Sequence, residues 1–312
     1  MLMHWIKKTK KKIILKKKRN IFLIILAFIV STFFAIILTN YYINKKQKEL
    51  LNSIYESTHK NIFEKTQNLI NDKQNTSLAI AISLSKDETL YTHLKNKDFE
   101  KLNYVKIAKL IETNSKYKNI WIQIFDSNLN SVYRSWTNIR GSLNFRPDLK
   151  KIEALKNIST SISAGLFNIG IKARTPIFDE NNNFYGALEV VTHFDSITED
   201  LVKNNISPVV IGDKSIRKNL TNPLLSKLFI DDYYIANENV DMNLYKYIKE
   251  NGVEKYINID KFIIENGYLI SKYPLFDENK KNLAYIINFM ELKSINLENI
   301  KHIKIQTTLG TV

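Results

Sequence analysis

Three arginines and a tryptophan are the residues here whose types and spacing best suit binding chemistry. Along the segment 131–136, strict alternation on a strand places Val132, Arg134 and Trp136 on one face. A guanidinium beside an indole suits an anionic ligand with an apolar body. The planar fork takes a carboxylate and the ring packs the remainder, with Tyr133 as a further wall. The same pair also forms an ordinary surface cation–π contact, so both readings stand. Arg146 and Asp148 flank Pro147 at an expected helix start, where Asp148 suits the helix N-terminus and Arg146 can reach back to the Arg134 face. Arg174, close to Lys172 and Pro176, is a second candidate carboxylate clamp. On an expected strand 184–194, Tyr185, Ala187, Glu189, Val191 and His193 share a face. Glu189 either pairs with an arginine or holds a ligand's ammonium group. His193 and Asp195 form either a pH-sensitive pair or a solvated strand end.

Catalytic signatures are missing. The histidines at 4, 59, 93, 193 and 302 are scattered, with no H-E-x-x-H, and there is no G-x-S-x-G or G-x-G-x-x-G. Gly165 and Gly170 have P-loop spacing, but Ile171 and Lys172 follow where Lys and Ser/Thr are needed. The chain has no cysteine, which removes disulfides, thiolate metal sites and thiol nucleophiles. The expectation is a protein that is not an enzyme and carries no metal or cofactor.

The elements that must position these residues begin with charge. The net charge is +15, yet nine of the 46 basic residues precede residue 40, where there is no acid. The remaining 37 face 31 acidic residues, a balance ordinary for a soluble domain. No clustered basic stripe lies beyond the N-terminus, so nucleic acid is not an expected partner. Residues 21–39 are nineteen uncharged residues, about 28 Å of helix against a bilayer core of about 30 Å. No small-residue cleavage pattern follows, and Tyr41 and Tyr42 suit an interface. The basic block places the N-terminus in the cytoplasm and residues 40–312 outside, and it touches inner-membrane lipid.

From Tyr41 to Lys97 there is no Pro or Gly, and Leu51, Tyr55, Thr58, Ile62, Lys65 and Leu69 recur at helical spacing. A helix from 41 to about 84 would be about 66 Å long. After Asn119 the period becomes two: Ile120, Ile122 and Ile124 face one way, and Trp121, Gln123 and Phe125 the other. Further strands are expected at 131–136, 159–168, 170–178 and 184–194, as an antiparallel meander. Residues 176–197 and 274–295 form an internal repeat, PIFDENNNFYGALEVVTHFDSI against PLFDENKKNLAYIINFMELKSI. The offset of 98 pairs Pro176 with Pro274, Asp179 with Asp277 and Ile197 with Ile295. Each copy reads as strand, polar turn, strand and helix start, so two related modules in tandem are expected.

A long membrane-emergent helix followed by two such modules resembles the double Cache sensor domains of bacterial chemoreceptors, sensor kinases and cyclic-dinucleotide enzymes. The segments IWIQIFDSNLNSVYRSW, RGSLNFRPDLKKIEAL and GIKARTPIFDENNNFYGALEVVTHFDSI carry it, and it covers about 45–295. The resemblance implies an α+β fold: a transmembrane helix continuing into a long helix, then two PAS-like modules, each with an antiparallel sheet. The expected division is a basic segment 1–20, the span 21–39, a helical stalk 40–97, a membrane-distal module 98–205, a membrane-proximal module 206–297 and a tail 298–312. It also implies a small carboxylate or amino acid bound in the distal module, with binding passed down the long helix. Arg134, Trp136, Tyr133, Arg146, Arg174 and Glu189 are the expected ligand-binding residues. A homodimer through the long helix is the expected assembly. A receptor also needs a second membrane helix and an output domain, and neither is visible after Ile295. Both a free-standing module and a truncated receptor fit that. An interaction protein that docks a partner without a small ligand is the alternative, and an unliganded pocket filled by its own side chains would favour it.

Overall fold

The computed structural model describes residues 2–142 and 146–295; the expected tail and the segment 143–145 lie outside them. The chain divides into two compact units. One contains residues 58–295, and the other contains the residues up to 57.

The first helix, α1, runs Leu2–Ser85. Within residues 15–85 it contains a window long and apolar enough to cross a membrane, with exposed side chains. In the larger unit its buried stripe is Ile62, Thr66, Ile70, Lys73, Ser77 and Ala81. That stripe lies one position round from the expected Lys65 and Leu69, because three of its residues are polar. Lys73 Nζ donates to Ser196 Oγ at 2.7 Å, and Ser77 Oγ meets Thr192 Oγ1 at 2.8 Å. An apolar period cannot register a face built this way.

Two short helices follow, α2 (Thr89–Asn96) and α3 (Tyr104–Asn114). The first sheet then forms from β1 (Trp121–Asp126), β2 (Asn130–Arg134), β3 (Gly141–Ser142), β4 (Ser159–Ala164), β5 (Ile169–Phe178) and β6 (Phe184–Thr192). α4 (Pro147–Leu155) connects β3 to β4. The spatial order is β3-β2-β1-β6-β5-β4, with the pairs antiparallel. It is not the simple meander expected: β6 closes against β1, so first and last long strands share the centre.

The β1 alternation sorts the two faces as expected. Ile120, Ile122 and Ile124 join Ala81, Leu90, Leu94 and Tyr104 under α1, α2 and α3. Trp121 and Phe125 face the other way, into clusters with Phe167 and with Leu149 of α4. Elsewhere alternation breaks at bulges. The β1–β2 register slips between Ile124 and Phe125, and Val132 joins the helix-covered face instead of sharing one with Arg134. A second slip, between Ile177 and Phe178, puts Tyr185 on that same face.

After α5 (Asp195–Val202) the plan recurs. β7 (Ile206–Gly212), β8 (Phe229–Ile230), β9 (Tyr233–Ile235), β10 (Phe262–Glu265), β11 (Tyr268–Phe276) and β12 (Asn282–Glu291) form a second antiparallel sheet, ordered β10-β11-β12-β7-β9-β8. α6 (Met242–Asn251) and α7 (Val253–Ile257) cover one face. The fold is α+β, with a long helix and two antiparallel sheets in series.

The repeat is structural down to its turns. Asp179 Oδ1 accepts from Asn181 and Asn183 amides, both at 2.8 Å; Asp277 Oδ1 accepts from Asn279 and Lys281, both at 2.9 Å. Asn182 and Lys280 share a φ of 61°, and the bulge before Phe178 recurs before Phe276. An Asp at the turn start satisfies two loop amides, which is why it stands at the same place in both copies.

Candidate functional site

On the face of the first sheet away from α1, strand positions that would ordinarily be apolar are charged. Asp148, Lys172, Arg174 and Glu189 are buried, as are Arg134 and Arg146. Register explains how they meet. Gln123 lies opposite Arg134 across β1–β2 and opposite Glu189 across β1–β6; Arg174 lies opposite Glu189 across β5–β6. Arg146 is the N-cap of α4, and Asp148 sits in its first turn.

Four of these groups form a closed ionic network. Arg146 Nη1 and Nη2 donate to Glu189 at 3.0 and 2.5 Å, and its Nε and Nη2 donate to Asp148 at 3.0 and 2.6 Å. Arg174 Nε donates to Glu189 Oε2 at 2.7 Å, and its Nη2 reaches Asp148 and Ser161. Burial opposes charge on Asp148, Glu189 and Arg146. The arginines outweigh it and hold Asp148 well below the usual carboxylate range and Glu189 below its own. For Arg146 the same burial is overcome by Asp148 and Glu189, which raise it.

Two cations stand outside that closed set. Arg134 sends one nitrogen to the Ile139 carbonyl, while its Nε has no partner. Burial, then the neighbouring Arg140, pushes this guanidinium down to about 10. The Lys172 ammonium lies in the same buried region, and burial, then Arg146, pushes it down to about 7 against the opposite pull of Glu189 and Asp148. Four cationic side chains thus share this buried region with two carboxylates.

Arg134 and Lys172 line a cavity of about 20 Å³ between the sheet and the turn 165–168. Its apolar wall is an aromatic corner. Trp121 and Trp136 stack with centroids 4.5 Å apart, Phe167 stands edge-on to both, and the Arg134 guanidinium lies 5.3 Å from the Phe167 ring. Four buried nitrogens in the lining have no acceptor: Gln123 Nε2, Arg134 Nε, Trp136 Nε1 and Asn168 Nδ2. No lining oxygen is orphaned among the described residues. The space is thus rich in donors and short of acceptors. Arg134 and Trp136 also border an open basin of about 1000 Å³ with Lys97, Lys101, Lys106 and Arg140 on its rim.

The structure brings Arg134, Trp136, Arg146 and Glu189 to the cavity. Arg174 lies behind it in the ionic network. Tyr133 does not reach it: paired with Ile124, it faces Tyr104 and Phe99 on the opposite side of the sheet. His193 and Asp195 are not a pair. His193 Nδ1 donates to the Asn119 carbonyl at 2.5 Å, and burial pushes the ring down to about 3; Asp195 accepts from the Glu238 amide.

Sequence reasoning passed over Gln123, Lys172, Phe167 and Asn168 as site residues. For Lys172 a signal was available in the strand that leads into the repeat. At the offset of 98, Lys172, Glu189 and Val191 correspond to Ile270, Ile287 and Phe289. Ladder register adds Val209 as the partner of Ile287, where Gln123 partners Glu189. All four counterparts lie in the apolar core of the second sheet.

No protein-family model matches the sequence, and no curated protein matches it. Solved structures do match. The sensor domain of the V. cholerae histidine kinase DctB is 13% identical, with a TM-score of 0.43 over 76% of this chain and 96% of that one. A domain of a sensory box/GGDEF family protein from Vibrio parahaemolyticus is 14% identical, with a TM-score of 0.45 over 78% and 98%. The ligand-binding domain of the Campylobacter jejuni chemoreceptor Tlp3, solved with 4-methylisoleucine, is 16% identical, with a TM-score of 0.41 over 78% and 95%. At these identities the likeness concerns the fold alone.

Proposed function

We propose that this chain, built on the double Cache plan of a long helix and two antiparallel sheets, is a membrane-anchored extracytoplasmic sensor module that binds a small carboxylate in its first sheet. One observation carries the reading: a single strand plan was folded twice, and only the first copy fills its core positions with charge. Val209, Ile270, Ile287 and Phe289 meet the needs of the second sheet, so the fold itself does not require Gln123, Lys172 and Glu189. Replacing buried charge with apolar side chains is often neutral or stabilising. The charges in the first copy therefore serve something other than stability.

The surplus of donors identifies that purpose. Arg134, Lys172, Gln123, Trp136 and Asn168 offer nitrogens to an anion, and Trp121, Trp136 and Phe167 pack its apolar part. Arg146 and Arg174 act through Glu189 and Asp148, holding the floor of the site in place. Because both carboxylates are committed, an ammonium group finds no free acid here. A carboxylate without an α-amino group fits better than an amino acid. The basic segment ahead of the span orients the module outward and meets anionic lipid, and the long helix pairs two copies.

A thermal-shift screen of the full chain in detergent tests this. Simple mono- and dicarboxylates should raise the melting temperature more than amino acids of similar size, and Arg134→Ala should abolish the shift. No shift with any organic anion, or a shift indifferent to Arg134→Ala, removes the assignment. The second reading is a docking protein without a small ligand. The closed state of the cavity, about 20 Å³, favours it, and a blank screen would select it.

A further inference from the structure

The cavity has room for about one water. Any organic anion must displace part of the wall. The strand positions Trp121, Gln123, Arg134, Lys172, Glu189 and Val191 belong to continuous ladders. Arg146 is fixed by four bonds to two carboxylates. A wall that belongs to no ladder is the turn 165–168 between β4 and β5, which closes on itself by one backbone bond from Gly165 N to Asn168 O at 2.8 Å.

That turn is also joined to the second half of the molecule. The Leu166 and Phe167 carbonyls accept from the Asn222 and Leu224 amides at 2.9 and 3.2 Å. Leu225 packs into the cluster of Trp121, Phe167 and Val191. Residues 222–225 lie on the connection from β7 to β8 in the second sheet. Just beyond the turn, Ile169 Cδ1 sits only 2.5 Å from where a side chain on Gly212 would begin, at the end of β7. A side chain at 212 would clash, so the two sheets meet closely here.

We infer that the turn 165–168 is a two-sided strap that reports the state of the cavity to the second sheet through the backbone of residues 222–225. Outward displacement of the strap draws Asn222 and Leu224 with it or breaks their bonds. By reciprocity, loosening residues 222–225 must loosen the cavity wall. This route runs beside the long helix and does not depend on it. It rests on the sensor reading only for its natural trigger, and its test uses no ligand.

Val191→Phe places a larger ring in the cavity and mimics occupancy from inside. Amide hydrogen exchange in the full-length protein in detergent should be at least about tenfold faster at Asn222 and Leu224, with residues 209–211 of β7 unchanged. Parental exchange at Asn222 and Leu224, with faster exchange confined to residues 165–168, overturns the proposal. Should Val191→Phe not fold, Leu225→Ala decides from the other side, in a Trp5→Phe background that leaves Trp121 and Trp136 as the fluorophores. Acrylamide quenching should at least double, and unchanged quenching overturns the proposal. A failed anion screen leaves both measurements intact, and a negative result here leaves the anion reading standing.

Discussion

Lys172 and Ile270 occupy equivalent positions in the two sheets, and the difference between them is a buried cation. Burying an ammonium costs folding energy, and at Lys172 burial outweighs the pull of Glu189 and Asp148. Lys172→Ile should therefore stabilise the protein by about 1–3 kcal/mol while weakening any carboxylate-induced thermal shift. A loss of stability instead would mean that Lys172 has a structural partner. Arg174→Ala should do the opposite. It leaves Glu189 and Asp148 short of a counter-ion and should cost about 3–5 kcal/mol, measured by denaturant unfolding. Proton linkage gives a third expectation. An anion in the cavity favours the charged form of Lys172, which stands near 7 when the cavity is empty. Binding should take up a proton and weaken as pH rises through about 7, by up to about tenfold between pH 6 and 8. Titration calorimetry in buffers of different ionisation enthalpy reads that uptake directly, and an affinity flat across this range would place Lys172 outside the site.

At the scale of elements, α1 docks on the first sheet through polar groups as well as apolar ones. Lys73 lies against the Tyr117 ring at 3.8 Å and donates to Ser196. Burial, then Lys116, pushes its ammonium down to about 7. Between about 7 and the ordinary lysine range the unfolded chain holds a proton that the folded chain has lost. Stability should rise with pH across that window and be lowest below 7, where folding must bury the charge. Lys73→Met keeps the packing and removes the titration. It should raise the melting temperature at pH 7 and flatten its rise toward pH 9, and an unchanged slope would exclude Lys73 as its source. The same helix marks the limits of the sequence reading. Its course from 41 to about 84 was legible in the helical spacing and the lack of Pro and Gly. Its buried face was not, because Thr66, Lys73 and Ser77 satisfy their polar atoms within the fold. Strand faces were legible wherever alternation is uninterrupted, as at residues 120–125. They were misread at Val132 and Tyr185, where a bulge supplies an extra residue and turns the neighbour over. Arg134 and Trp136 stood out by residue type. Asn168 and Phe167 did not, because a turn contributes them and no period marks a turn.

For the whole molecule, the repeat sets a sheet with charged core positions beside one with an apolar core, and the proposed reading gives binding to the first. The first sheet holds the charged cavity; the second packs Ile270, Ile287 and Phe289 against Tyr256 of α7 and Leu244 and Ile248 of α6. Such a division has a purpose only if the first sheet meets its ligand on the side of the membrane where that ligand arrives. On the proposed reading, the nine basic residues ahead of the apolar run and the uncharged nineteen that follow would set the N-terminus inside and the sheets outside. Because the chain has no cysteine, one introduced thiol reports its own side without background. Asn279 lies exposed on the turn between β11 and β12, so Asn279→Cys leaves both cores untouched. A membrane-impermeant maleimide applied to intact cells should label Asn279→Cys and leave Lys16→Cys unlabelled until the cells are permeabilised. The reverse pattern would put the cavity in the cytoplasm and remove the case for an external ligand, whatever the anion screen returned.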